Sequence, residues 1–367
     1  MNCQQNMIPT KKSNTRQHFH TFNALRFFSF LLVFFHHTPT PESSLLSYFS
    51  KSGGIGVSFF FVLSGFLITY ILLHEKDITG KISLKKFFMR RILRIWPLFY
   101  AMILFAFLTP YILDFLQLSY SNEGYEPNWW MSLLFLENYM IMITNTLPNV
   151  SPLSVMWTLC VEEHFYIIWG LALFFLSIKK VPHLILYSIV TATVFRLIYS
   201  YYGINSIDIF SNIDYFAFGA IPAYLLIYKP ETLRKIEALP LSIKYFFVVF
   251  VVAIIFIFPN SDSTWLNYIS HLIFGSSFTV IIVFTLCEKN SIRIKDGYWV
   301  SKLGILTYGL YLFHTIIIMF FARIIHLFPF QVNIMLFSII TFLCTVLVGY
   351  LSYQLYEKQF LKLKKYF

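Results

Sequence analysis

Long apolar runs, each separated from the next by a short polar stretch, recur from one end of this chain to the other. They fall near residues 21–38, 55–74, 96–118, 154–178, 182–201, 211–228, 244–259, 266–287, 303–322 and 333–355. A helix of about 20 apolar residues crosses the hydrocarbon core of a bilayer. The pattern therefore predicts an all-α, polytopic integral membrane protein with about ten transmembrane helices. A further apolar stretch, 129–143, is short and holds Glu137 and Asn138. The basic residues decide whether it spans. With a cytoplasmic N-terminus and ten spans, the inner side collects Lys11, Lys12, Arg16, the cluster from Lys76 to Arg94, Lys179, Lys180, Lys229, Arg234, Lys235, the group from Lys289 to Lys302, and the C-terminal lysines. Only Lys51 and Arg323 are left outside, as the positive-inside rule requires. Counting 129–143 as a span would invert every later loop. It is expected instead to lie in an outer loop, 119–153, as an interfacial or re-entrant element, with both termini cytoplasmic. The division expected is a cytoplasmic tail over 1–20, one membrane domain over 21–360 and a basic cytoplasmic tail over 361–367.

Composition agrees with a membrane chain. Of 367 residues, 57% are hydrophobic and 12% charged, about half the charge of a soluble domain. No stretch is long and polar enough for a separate soluble domain. The first run lacks a small-residue cleavage site after it, so it reads as a retained span. The net charge of +11 is accounted for by topology and needs no nucleic-acid partner. Cys3, Cys160, Cys287 and Cys344 are scattered and suggest neither a disulfide frame nor a metal site. No internal repeat is visible, which weighs against a transporter built from inverted halves.

Ionisable residues inside spans are costly and mark function by default. The first span carries Arg26 and His37, eleven residues apart. That is almost three helical turns, so the two share a stripe about 16 Å long, with His36 about 80° away from it. The segment GGIGVSFFFVLSGFLIT, 53–69, is rich in small residues that let helices approach closely. In RRILRIWP, Arg90, Arg91 and Arg94 cover one side of a helical turn. Planar guanidinium forks suit phosphate oxygens, although anchoring at the inner face would also use such a cluster. Pro97 is expected to open the next span. In WTLCVEEHFYIIW, Glu162 and Glu163 lie well inside a span; about 100° apart, they cannot share one partner face, and an unpaired buried carboxylate is costly. Arg196 and Asp214 lie at a similar depth. They are expected either to pair with each other or to join His37 and Glu162 in one outer polar pocket. TYGLYLFH places Tyr308, Tyr311 and His314 at i, i+3 and i+6, with His314 expected as a hydrogen-bonded core histidine rather than a base, and Glu357 is expected to pair with a lysine at the inner boundary.

The ordered set of blocks, from the Arg–ten residues–His span through RRILRIWP, WTLCVEEHFY, DYFAFGA, YGLYLFH and SYQLYEK, resembles the acyltransferase-3 family. These are membrane O-acyltransferases typified by O-acetylases of bacterial polysaccharides. The resemblance covers residues from about 20 to 360 and implies about ten transmembrane helices. It also implies transfer of an acyl group, usually acetyl from acetyl-CoA, to a sugar hydroxyl, with no permanently bound cofactor. Position by position, it makes His37 the essential histidine and Arg26 its paired arginine. Arg91 and Arg94 become the Arg-x-x-Arg element near the donor, with Arg90 beside them, and Glu162 the more constant glutamate. Glu163, Asp214, Arg196 and His314 are expected around the substrate. The chain departs from the family pattern at Asn23-Ala24, where Asp-Gly is usual, and at His164, where Gln is usual. Some members add a C-terminal hydrolase-like domain; with the sequence stopping at Phe367, a stand-alone form is expected. The partners expected are acetyl-CoA, a carbohydrate acceptor and membrane lipid. The main alternative is a transporter or flippase of a lipid-linked sugar, which an intramembrane polar pocket would also serve.

Overall fold

Each apolar run forms a helix, because in lipid the backbone can satisfy its polar groups only internally. The computed structural model describes residues 17–40, 46–117, 123–260, 264–326 and 333–367. Among the described residues, the long helices formed by the ten apolar runs are α1 (Thr21–His37), α2 (Gly53–Thr79), α3 (Leu84–Phe115), α4 (Trp157–Phe175), α5 (Val181–Tyr202), α6 (Ile209–Tyr228), α7 (Leu241–Ile257), α8 (Thr264–Leu286), α9 (Thr307–His326) and α10 (Ile334–Ser352), with shorter helices between and after them. Among the described residues, eight of these helices are long and apolar enough to cross a membrane. A ninth span results if α7 is counted with the short helix Pro230–Glu237 before it, bent from it by 96°. The remaining helix, α1, has 17 residues, the short end of the spanning range. Among the described residues the extended pairing is confined to one isolated bridge, Tyr125 with Pro148. Cys3, Lys11, Lys12 and Arg16 lie outside the described residues. Cys160, Cys287 and Cys344 are free thiols.

The centre of the bundle is the contact between α2 and α6, the two most buried spans. Glycine makes it possible. A Cβ on Gly65 would lie 2.1 Å from the Phe216 carbonyl oxygen, and one on Gly219 would lie 2.0 Å from that of Val62. The backbones therefore touch, as small residues allow in membrane helices. Aromatic rings fill the surroundings, with Phe165 stacked on Phe216 at 3.9 Å and Phe61 on its other side at 4.7 Å. Gly65→Val should force this contact apart, at a cost of about 1–3 kcal/mol from overpacking. The check is the melting temperature and monodispersity of the detergent-extracted protein, both of which should fall.

One boundary differs from the sequence expectation. Helix α3 begins at Leu84, and Pro97 and Pro110 both lie inside it. The preceding turns are rich in good helix formers, and an internal proline removes one backbone bond without necessarily ending a helix. The basic loop and the third span are thus one continuous helix. At its far end, the stretch 129–143 does not span. It forms two short helices, Trp129–Leu133 and Glu137–Thr144, joined through Phe135 in the left-handed region at φ 60°. The loop is anchored on α3 by stacking of Phe135 on Phe99 at 4.0 Å and of Trp129 on Phe107 at 3.6 Å. Glu137 is fully buried and accepts hydrogen bonds from the Tyr125 and Ser132 hydroxyls.

Two lysines do structural work that the sequence did not reveal. Lys76 donates to the carbonyls of Leu173 and Leu176 at 2.6 Å each, satisfying the free acceptors at the end of α4. Lys244 is fully buried and donates to the Asn290 carbonyl at 2.9 Å.

Candidate active site

A cavity opens where α1, α2, α3, α4 and α9 converge, and helical spacing explains which side chains line it. Arg91 and Arg94, at i and i+3, project from α3. Thr158, Glu162 and Tyr166 form an i, i+4, i+8 stripe on α4, and Tyr308 and Tyr311 an i, i+3 pair on α9. Arg26 enters from α1 and Ser64 from α2, with Phe60, Phe61 and Ile95 supplying apolar wall. The ionisable acid and base groups in this lining are three guanidiniums and one carboxylate.

Glu162 accepts hydrogen bonds from the Ser64 hydroxyl at 2.8 Å and the Tyr166 hydroxyl at 3.0 Å. The charges of Arg26 and Arg91 also reach it. One buried carboxylate is therefore held by two hydroxyls and offsets part of a cationic cluster. Arg26 donates to the Asn23 side-chain oxygen at 3.3 Å. The departure from Asp at position 23 thus keeps an acceptor for Arg26 while removing its charge. Tyr308 is turned to the Ile95 carbonyl at 2.6 Å, which fixes its hydroxyl beside the arginines.

His37 is not in the cavity lining. It is reached through Tyr311, whose hydroxyl meets Thr158 at 2.9 Å. The His314 ring lies 5.6 Å from the Tyr311 ring, and the His37 ring lies 4.9 Å from that of His314. Hydrogen-bond counting fixes both neutral tautomers. His314 Nδ1 faces the Tyr311 carbonyl at 2.6 Å, so it carries the proton. His37 Nδ1 faces the Val33 carbonyl at 2.9 Å, so it too is the protonated nitrogen. His314 Nε2 is then bare, and it lies 3.3 Å from His37 Nδ1, ready to accept from it. The two assignments are compatible, and they leave His37 Nε2 as a free basic nitrogen.

Other expected residues fall elsewhere. Arg196 and Asp214 do not join His37 and Glu162. They form a buried bidentate pair, with Nη2 to Oδ2 at 2.6 Å and Nη1 to Oδ1 at 3.0 Å, and Arg196 also donates to the Ser211 carbonyl. Mutual neutralisation is the cheaper solution for two opposite charges on neighbouring helices. Glu163 points away from the cavity, as its 100° offset from Glu162 requires. It is buried, and its Oε1 has no hydrogen-bond partner. Arg90 also lies outside the lining. Glu357 accepts from the Ser352 hydroxyl at 3.4 Å and feels the charge of Arg94, rather than pairing with a lysine. His164 packs beside Tyr139, at 5.7 Å between rings. The C-terminal segment lies near the arginines, since Lys364 feels Arg94, Arg91 and Arg90. The sequence reading missed Ser64 and Tyr166 as partners of Glu162. The i, i+4 spacing of Glu162 and Tyr166 was the available signal.

Residues 19–354 match the family model described as Acyltransferase domain. The chain belongs to the acyltransferase-3 family. Curated relatives from three bacteria are similar to it. Peptidoglycan O-acetyltransferase OatA of Listeria monocytogenes is 30% identical over 288 residues, covering 72% of this chain and 45% of OatA. A protein of Staphylococcus aureus strain COL, provisionally named an O-acetyltransferase, is 29% identical over 300 residues, covering 73% of this chain and 46% of its own length. YrhL of Bacillus subtilis, provisionally named a peptidoglycan O-acetyltransferase, is 26% identical over 313 residues, covering 80% of this chain and 47% of its own. The chain thus spans less than half the length of these relatives. No solved structure matches it at a significant level. As an acyltransferase-3 protein with this many apolar helices, it is a multi-pass protein of the bacterial cell membrane.

Proposed function

We propose that this chain is a membrane O-acyltransferase that moves an acetyl group from acetyl-CoA to a hydroxyl of a cell-envelope carbohydrate. The observation that carries the reading is the cavity in which Arg26, Arg91 and Arg94 outnumber the single carboxylate of Glu162, at one end of a route that leads through Tyr311 and His314 to His37. An excess of guanidinium groups suits a phosphate-rich donor. The names of the relatives point to acetyl transfer onto peptidoglycan.

In this reading the arginine end is cytoplasmic, where acetyl-CoA is made. The donor's phosphates pair with Arg91 and Arg94, and its flexible arm crosses the cavity so that the thioester lies at the Tyr311–Thr158 wall. The acceptor hydroxyl meets His37 Nε2, which takes its proton as the oxygen attacks the thioester carbonyl. The tetrahedral intermediate expels the thiolate, which recovers the proton from the imidazolium, giving the ester and free CoA. Burial of the thioester away from water keeps hydrolysis from competing. The lining carboxylate Glu162, held by the Ser64 and Tyr166 hydroxyls, offsets part of the charge of Arg26 and Arg91 without neutralising the cluster.

The test uses the full chain reconstituted in lipid vesicles with acetyl-CoA labelled in the acetyl group and a muropeptide acceptor. Label should appear on the glycan in equal amount to the free CoA thiol released. Movement of a fluorescent lipid-linked sugar across the vesicle with no consumption of acetyl-CoA would instead establish the transporter reading and overturn this one.

A further inference from the structure

Away from the cavity, the segment leading into α1 carries two histidines in a His-x-His spacing, His18 and His20. Both rings converge on one carboxylate from a point more than 270 residues later in the chain, Asp296. We propose that His18, His20 and Asp296 bind a divalent transition-metal ion, zinc first among them, and that the ion clamps the entry of α1 to the connection between α8 and α9.

Three observations carry this. His18 Nε2 lies 3.0 Å from Asp296 Oδ2, His20 Nδ1 faces the same oxygen, and the three donor atoms all lie within 4.8 Å of one another. Zinc bonds of about 2.0–2.1 Å at the tetrahedral angle place ligand atoms about 3.3 Å apart, so a small closing movement of the rings suffices. Second, the hydrogen bonding is lopsided. Two rings crowd Oδ2, while Oδ1 of the same carboxylate is buried with no partner. Both rings gather at one oxygen, the arrangement that three ligands around a shared cation would take. Third, the seat is built independently of the ligands. The Thr21 hydroxyl donates to the Ile292 carbonyl at 3.3 Å and accepts from the Ile294 N–H at 3.2 Å, and the Gln17 N–H donates to the Tyr70 hydroxyl at 3.0 Å. Both segments are therefore fixed before any ion arrives, which lowers the ordering cost of binding.

The donor set selects the ion. Two imidazoles and one carboxylate suit zinc and its neighbours, whereas calcium and magnesium require mostly oxygen ligands. Three protein ligands leave a fourth position for water, and the half-exposed side chains leave the site open to solvent.

The experiment uses the full chain purified in detergent without a polyhistidine tag, stripped with chelator and titrated with zinc chloride by calorimetry. One zinc per chain should bind, and an excess of calcium or magnesium should not compete. His20→Ala and Asp296→Ala should each weaken binding at least about 10-fold, the effect of losing a ligand from such a site. His183→Ala, at an exposed histidine elsewhere, should bind as the parent does. Saturating zinc should raise the melting temperature of the parent chain but not of Asp296→Ala. Absence of stoichiometric binding, or equal affinity in the parent and both ligand variants, would overturn the proposal. Neither readout depends on acyl transfer, so the site stands or falls separately from the function above.

Discussion

Replacing His37 with alanine should lower the turnover of acetyl transfer about 10²–10⁴-fold, the range a positioned general base supplies, with the KM for acetyl-CoA little changed. The basis is the tautomer derived from the Val33 and Tyr311 carbonyls, which leaves His37 Nε2 bare. A group that acts only as oxygen attacks carbon affects turnover and spares donor binding. The neighbouring ring sharpens the test. His314→Leu removes the ring packed against His37 and the second acceptor beside its Nδ1 proton, which the Val33 carbonyl still holds, and should cost about 10–100-fold, as loss of an orienting partner does elsewhere. In His314→Gln the amide oxygen can accept from His37 while the amide nitrogen donates to the Tyr311 carbonyl, so much of the activity should return. Equal losses in His314→Leu and His314→Gln would show that His314 contributes shape alone. Steady-state kinetics on vesicle-reconstituted protein, matched for monodispersity, is the measurement.

Arg91→Ala and Arg94→Ala should act on the other parameter. Each removes a cavity-lining guanidinium. A hydrogen bond to a charged group is worth about 1.5–3 kcal/mol, so the KM for acetyl-CoA should rise about 10- to 150-fold. Lysine at either position keeps the charge but loses the planar fork and should fall between. Arg90→Ala should change KM far less, because Arg90 lies outside the lining. If all three alanine variants raise KM alike, the arginines work as a diffuse surface charge and not as a binding set. High salt would then reduce the differences further.

The sequence made the architecture legible because lipid imposes one rule on every span. Ten apolar runs became ten helices, and the exclusion of 129–143 from the spans followed from where lysine and arginine fall. Within the candidate site, Arg26 and Glu162 were legible because charges inside spans are rare, and Arg91 and Arg94 from their spacing in the basic block before the third span and from the family resemblance. What could not be read was which charges satisfy one another. For Arg196 and Asp214 the sequence left two arrangements open, a mutual pair or a shared outer pocket, and they close on each other. His37 and Arg26 share one helix, but the route between them runs through α9, which sequence spacing on α1 cannot show. Pro97 was read as a boundary because proline often starts helices; here the surrounding turns override it. The meeting of His18 and His20 with Asp296 depends on chain closure over hundreds of residues, which local pattern does not encode.

Helix α3 carries Arg91 and Arg94 near one end and the aromatic seats for Phe135 and Trp129 along the other. It runs unbroken for 32 residues, about 48 Å at the α-helical rise. The two faces of the membrane are therefore joined mechanically along a single backbone. A tilt that settles the arginines on an incoming anion must also displace the loop perched at the opposite surface. Under the function proposed above, donor held by Arg91 and Arg94 and the loop seated on Phe99 and Phe107 would share one rigid support.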